Sequence, residues 1–167
     1  MDANFPILLV DDDPNDMWLV KHAFQNASLP NPLRMVSDGQ EAIDYLRGLG
    51  QYGDRSAFPF PRLVLLDLKM PRLNGFDVIS WMRRHYPSKL TPIIVLSSSA
   101  LPQDVNRSYE LGANAYMVKP ADFRALERLF RTIADFWNAG EAPAFELHTM
   151  AADQRYSHPL FQLPGSG

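Results

Sequence analysis

Hydrophobic positions in this chain fall into short, nearly unbroken runs, separated by longer stretches in which apolar residues recur every three or four positions. The runs are Ile7 to Val10, Leu33 to Val36, Leu63 to Leu66, Ile93 to Leu96 and Ala115 to Val118. They are rich in Val, Ile and Leu, as strands covered on both faces are. Pro14 to Ala27, Gly39 to Arg47, Phe76 to Tyr86, Gln103 to Leu111 and Asp122 to Ala139 carry the helical period instead. This alternation predicts an α/β fold, with parallel strands joined by helices that cover both faces of the sheet. Pro14 suits a first helical turn, Asp38 an N-cap and Gly112 a left-handed helix end, while Gly48 to Pro61 reads as a loop. From Gly140 onward the periodicity stops. One domain over residues 1–139 is therefore expected, followed by a tail or arm over 140–167 that is too short for a core of its own.

Composition narrows the function classes. With 167 residues, 46% hydrophobic and 21% charged, a single sizeable core is within reach, and a net charge of −3 offers no basic surface for nucleic acid or anionic lipid. No cysteine is present, which excludes disulfides, thiolate metal sites and a cysteine nucleophile. The opening MDANFP lacks a basic segment leading into an apolar one, and runs such as Leu63 to Leu66 are far too short to span a bilayer. A cytoplasmic protein with no nucleic-acid or membrane partner is the expectation.

Ligands of parallel α/β sheets bind beyond the carboxyl ends of the strands, so the residues that follow each run carry the chemistry. Asp11, Asp12 and Asp13 follow the first run, Asp67 the third, Ser97, Ser98 and Ser99 the fourth, and Lys119 the fifth. Crowded carboxylates repel one another, and a hard divalent cation with oxygen ligands relieves that, which points to Mg2+. A carboxylate, a cation, a lysine and a hydroxyl around one spot are also what phosphoryl transfer uses, with Asp67 the best-placed nucleophile for an acyl phosphate.

Here the residues resemble a known family. ILLVDDD, LVLLDLKMPRLNGFD, IIVLSSSA and GANAYMVKP are similar to the signature blocks of the receiver domain of two-component response regulators, over residues 5 to about 137. The resemblance implies a flavodoxin-like (βα)5 doubly wound five-stranded parallel sheet of order 2-1-3-4-5. It makes Asp67 the phosphoacceptor. Asp12 becomes a direct metal ligand, Asp11 a ligand through water, and the backbone carbonyl of Lys69 a further ligand beside Asp67. Ser97 takes the switch-hydroxyl position, more often Thr, Lys119 that of the phosphate-binding lysine and Tyr116 that of the switch aromatic. The Lys119–Pro120 bond is expected to be cis. Asp13 is a third acid next to the pair, and the sequence leaves open whether it joins the metal site. The length of the 48–61 loop and the IADFW segment resemble stand-alone receivers that partner phytochrome-type histidine kinases.

The expected function is a binding switch in a phosphorelay: a histidine kinase modifies Asp67, Ser97 and Lys119 hold the phosphoryl oxygens, and Tyr116 turns inward to change a protein-binding surface. The alternative is a Mg2+-dependent phosphohydrolase with an Asp67 nucleophile. A haloacid-dehalogenase-type enzyme would place a second Asp two residues on, where this chain has Lys69. Gly48, Gly50 and Gly53 spell a dinucleotide fingerprint, but it lies after a helix rather than between a strand and a helix. His22, His85, His148 and His158 have no metal-ligand spacing. Met17, Val20 and Phe24 read as core, with Trp18 beside them as a contact for a kinase helix or a partly packed ring. The last helix carries Phe123, Leu126, Phe130, Ile133 and Trp137 on one stripe with Leu129 and Phe136 adjacent. That width predicts a homodimer through this helix, with the alternating Phe145 to Thr149 and the apolar Tyr156, Leu160, Phe161 and Leu163 packing as an arm on the other protomer.

Overall fold

A computed structural model describes residues 5–86 and 91–139, with side chains of the last helix described as far as 135. The strands are β1 (Ile7–Val10), β2 (Leu33–Val36), β3 (Leu63–Leu66), β4 (Ile93–Ser97) and β5 (Ala115–Val118). The helices are α1 (Pro14–Asn26), α2 (Gly39–Arg47), α3 (Gly75–His85), α4 (Pro102–Glu110) and α5 (Phe123–Ala139). All four strand pairings are parallel and the order is β2-β1-β3-β4-β5, as the resemblance implies. The chain winds outward from β1 in both directions, so its carboxyl edge has a switch point between β1 and β3.

Alternate residues of the central strands feed two cores. Leu8, Val10, Val64, Leu66, Ile93 and Val95 pack on Ala42, Tyr45 and Leu46 of α2 and Val78, Ile79 and Met82 of α3. On the opposite face Ile7, Leu9, Leu63, Leu65, Ile94 and Leu96 meet Val20, Ala23 and Phe24 of α1 and Leu126, Phe130 and Ile133 of α5. Phe24 and Phe130 join these two helices edge to face, with ring centroids 5.7 Å apart. The expectation of two-sided burial holds for β1, β3 and β4 but not for β2 or β5. Those two are sheet edges with one lateral neighbour each, so their ends and outer flanks reach solvent. Met17 is half-buried rather than fully enclosed, in the first turn of α1, whose buried residues are Val20, Ala23 and Phe24.

Local chemistry sets the helix starts. Asp13 caps α1 by accepting from the backbone N–H groups of Asn15 and Asp16, and Asp38 caps α2 by accepting from Glu41 N. Asn74 and Asp77 form a reciprocal capping box on α3. Gly75, the first residue of α3, lets the helix sit directly on the end of β3. A Cβ there would collide with the Asp67 carbonyl oxygen and stand 2.8 Å from Leu68 Cα.

The loop after α2 is more ordered than its composition suggests. Gly48 closes α2 with φ +71°, and Gly50–Tyr52 forms a single 3-10 turn. Arg55 then folds back and donates to the carbonyls of Tyr45, Leu46 and Phe58, which satisfies the end of α2. The guanidinium packs against Gly48, where an added Cβ would stand 2.9 Å from Arg55 Nε, so this glycine serves a helix end.

Candidate functional site

The register of the sheet assembles the site. Val10 pairs with Leu66, so Asp11 and Asp67, one residue further on, leave neighbouring strands side by side. Asp67 N donates to Val10 O at 2.9 Å, and Lys119 N to Ser97 O at 2.7 Å, which ties the ends of β5 and β4 in the same way. Ligand oxygens of Asp11, Asp12 and Asp67 lie within 4.8 Å of one another. Asp11 and Asp67 are buried, Asp12 is half-buried, and Ser97 is fully enclosed. Of the sequence-based set, Asp11, Asp12 and Asp67 cluster, Lys119 pairs with Asp11, and Ser97 ends the neighbouring strand at the same carboxyl edge.

Electrostatics follow from that crowding. Burial pushes the Asp11 carboxyl above its ordinary range and the charge of Asp67 adds to this, against the opposing hydrogen bond and charge of Lys119 and the backbone N–H of Asp13. For Lys119 burial acts downward, yet hydrogen bonds to Asp11 and Asp16 and the charges of Asp11 and Asp67 outweigh it and raise the ammonium pKa. Both pKa values go up, with opposite meaning: burial favours the neutral form of Asp11, whereas the carboxylates around Lys119 favour its charged form. One ammonium among these acids stays a cation. Three clustered carboxylates against one ammonium leave the pocket net negative, and their all-oxygen donor set fits a hard divalent cation.

Asp13 stays out of that group, since its side chain is spent on the cap of α1. Lys69 is exposed in the β3–α3 loop, where Met70 N and Gly75 N both turn to the carbonyl of Leu68 and not to that of Lys69. Tyr116 is half-buried, and its hydroxyl donates to Ser99 O at 2.9 Å beside Ser97. The ring is thus already anchored next to the hydroxyl position in this state. The expected cis Lys119–Pro120 bond is corrected: no cis peptide occurs among the described residues. A proline amide favours trans by about 0.5–1 kcal/mol, and with that isomer the Lys119 ammonium still reaches Asp11.

Sequence reasoning missed two acids. Asp16 Oδ2 lies 2.7 Å from Lys119 Nζ, and Asp104 accepts from the Ser99 hydroxyl. Asp16 follows the Asp11 to Asp13 run by one helical turn, and that spacing was the available signal. Trp18 is 58% exposed on α1 with its ring against His22, centroids 3.9 Å apart. His22 and His85 each bond the carbonyl four residues back through Nδ1, while His148 and His158 lie outside the described residues.

A parallel sheet of this order with buried acids, a hydroxyl and a lysine at one edge defines the class of phosphoacceptor α/β domains. The response regulator receiver domain family matches residues 7–131, and the chain belongs to that family. It is 36% identical over 143 residues to the probable methanogenesis regulatory protein FilR2 of Methanothrix harundinacea, covering 84% of this chain and 90% of that one. Among solved structures, the phosphorylated cyanobacterial phytochrome response regulator RcpA superposes with TM-score 0.75 at 33% identity, over 84% of this chain and 99% of the other. The Mn(2+)-bound form of response regulator Rcp1 gives TM-score 0.72 at 31% identity, over the same shares of the two chains.

Proposed function

We propose that this receiver accepts a phosphoryl group on Asp67 from a histidine kinase and signals through altered protein contacts. The observation that carries the reading is the cluster of Asp11, Asp12 and Asp67 with the Lys119 ammonium 2.7 Å from Asp11, at the carboxyl edge of the sheet. Asp67 Oδ attacks the phosphorus of a phosphohistidine; the P–N bond breaks, a P–O bond forms, and the imidazole leaves with its electron pair. Lys119 and Ser97 then hold the new phosphoryl oxygens. Asp12, Asp67 and the Lys69 carbonyl would hold Mg2+ directly, with Asp11 reaching it through water. The cation, when bound, neutralises charge on the equatorial oxygens. Tyr116, bonded beside Ser97, transmits the change to the β5 edge, where Val118 is already half exposed. RcpA is by its description a phytochrome response regulator, which supports a phytochrome-type kinase as the donor here. Trp18, exposed on α1, is a contact for that kinase's helix.

The phosphohydrolase alternative finds no support. The position two beyond Asp67 is the exposed Lys69, so the second carboxylate that a haloacid-dehalogenase-type enzyme uses as acid and base is not at that position, and self-dephosphorylation is the turnover expected. Incubation with phosphorylated kinases, a phytochrome-type kinase among them, and Mg2+ should yield a hydroxylamine-labile acyl phosphate that Asp67→Asn abolishes. Absence of that label, together with failure of the wild type to bind beryllofluoride, overturns the reading.

A further inference from the structure

Lys119 makes a second ion pair for which phosphoryl acceptance has no use. Its Nζ lies 2.7 Å from Asp16 Oδ2 as well as 2.7 Å from Asp11 Oδ2. The lysine side chain is 9% exposed and that of Asp16 is 36% exposed, so the contact is partly shielded from solvent. The Asp16 backbone is held in the first turn of α1, because Asp13 caps that turn and accepts the Asp16 N–H. Nor does it belong with Asp11, Asp12 and Asp67, whose oxygens form the metal-type group.

An ammonium has three N–H donors, and here two of them point at carboxylates. A phosphoryl group on Asp67 brings oxygens that need the same cation. The pair with Asp11 lies within the site itself, whereas the pair with Asp16 draws the ammonium toward α1. We propose that Asp16 is a positioning residue that competes with the Asp67 phosphoryl group for Lys119 and so biases the domain toward its unmodified state. A contact made in one state and weakened in the other shifts the equilibrium by its own differential worth. The inference rests on the receiver reading above.

Beryllofluoride, which stands in for the phosphoryl group, is the probe. Calorimetric titration of the full chain at fixed Mg2+ compares wild type with Asp16→Asn, Asp16→Glu and Asp13→Asn. Asp16→Asn should bind about fivefold more tightly, the upper end for a partly exposed ion pair, and added salt should shrink the gap. Asp16→Glu keeps a carboxylate within reach and should stay near wild type. Asp13→Asn removes a neighbouring charge but retains a good cap, and should change affinity less than twofold. Mg2+ alone should bind Asp16→Asn no more tightly than wild type, which separates competition for Lys119 from a change in the metal site. Unchanged or weaker beryllofluoride binding by Asp16→Asn overturns the proposal, as does an equal gain in Asp13→Asn. Failure of the wild type itself to bind the probe would instead overturn the receiver reading.

Discussion

Lys69 stands two residues past Asp67, exposed in the β3–α3 loop. A long cation there can pair with a phosphoryl group and occupy the approach of attacking water. Lys69→Ala is expected to shorten the acyl-phosphate lifetime by about twofold to fivefold, the worth of one exposed ion pair. Decay of the labelled protein at constant Mg2+ checks this, and an equal or longer lifetime in the alanine variant refutes it. A second residue-scale effect belongs to Glu41. Burial alone would raise its carboxyl, but hydrogen bonds from Ser37 N, the Tyr52 hydroxyl and the Ser37 hydroxyl together bring it below the ordinary value of 4.5. The same contact, with burial, keeps the Tyr52 phenol protonated well past its normal range. A lowered carboxylate pKa contributes stability above the unfolded value, and that contribution is lost as pH falls through the folded one. Glu41→Gln should therefore melt below wild type at pH 7, with the gap closing once the pH drops below about 4.5. A gap independent of pH would mean that the carboxylate charge is not what holds α2 to its following loop.

At the scale of elements, the site depends on how closely α3 approaches β3. Gly75 opens the helix where a Cβ would meet the Asp67 carbonyl oxygen, and that backbone has little room to give because Asp67 N is bonded to Val10 O. Gly75→Ala is expected to cost about 1–3 kcal/mol by overpacking. Because the strain falls on Asp67, the proposed phosphoacceptor, the variant should also bind beryllofluoride less tightly. Urea unfolding and the same titration measure both effects, and a stable variant with unchanged affinity would show that the loop can yield. Arg55 shows the complementary case, in which a side chain outside any regular element ends α2 by taking carbonyls of Tyr45 and Leu46.

For the whole molecule, part of the broad apolar stripe on α5 is already accounted for. Leu126, Phe130 and Ile133 are buried against the sheet and α1, and Phe123 and Leu129 pack partly on the same core. The side chains of Phe136 and Trp137, and all of the 140–167 arm, lie outside the described residues. A homodimer through α5 with the tail as an arm remains our proposal for the assembly. Sedimentation should give a dimer for the full chain at micromolar concentration and a weaker one after removal of residues 140–167. A monomer in both forms defeats the dimer, whereas a dimer equally stable without the tail defeats only the arm.

The local code of the chain was enough for the elements and for the residues at their ends. β1, β2, β3 and β5 fall where the apolar runs lie, and β4 extends past its run by one residue, to Ser97. Asp11, Asp12, Asp67, Ser97 and Lys119 could be read because a parallel sheet delivers all strand ends to one edge, so position along the chain implies position in space. The sequence left Asp13 ambiguous, and only the folded α1 assigns it to the cap. Exposure of β2 and β5 depended on their place at the sheet edges, which apolar content does not encode. The pairing of Asp16 with Lys119 joins residues 103 positions apart, and no periodicity links a helix turn to a distant strand end. Periodic patterning reports which face of an element is buried, whereas the partner across the gap is chosen by packing of the whole chain.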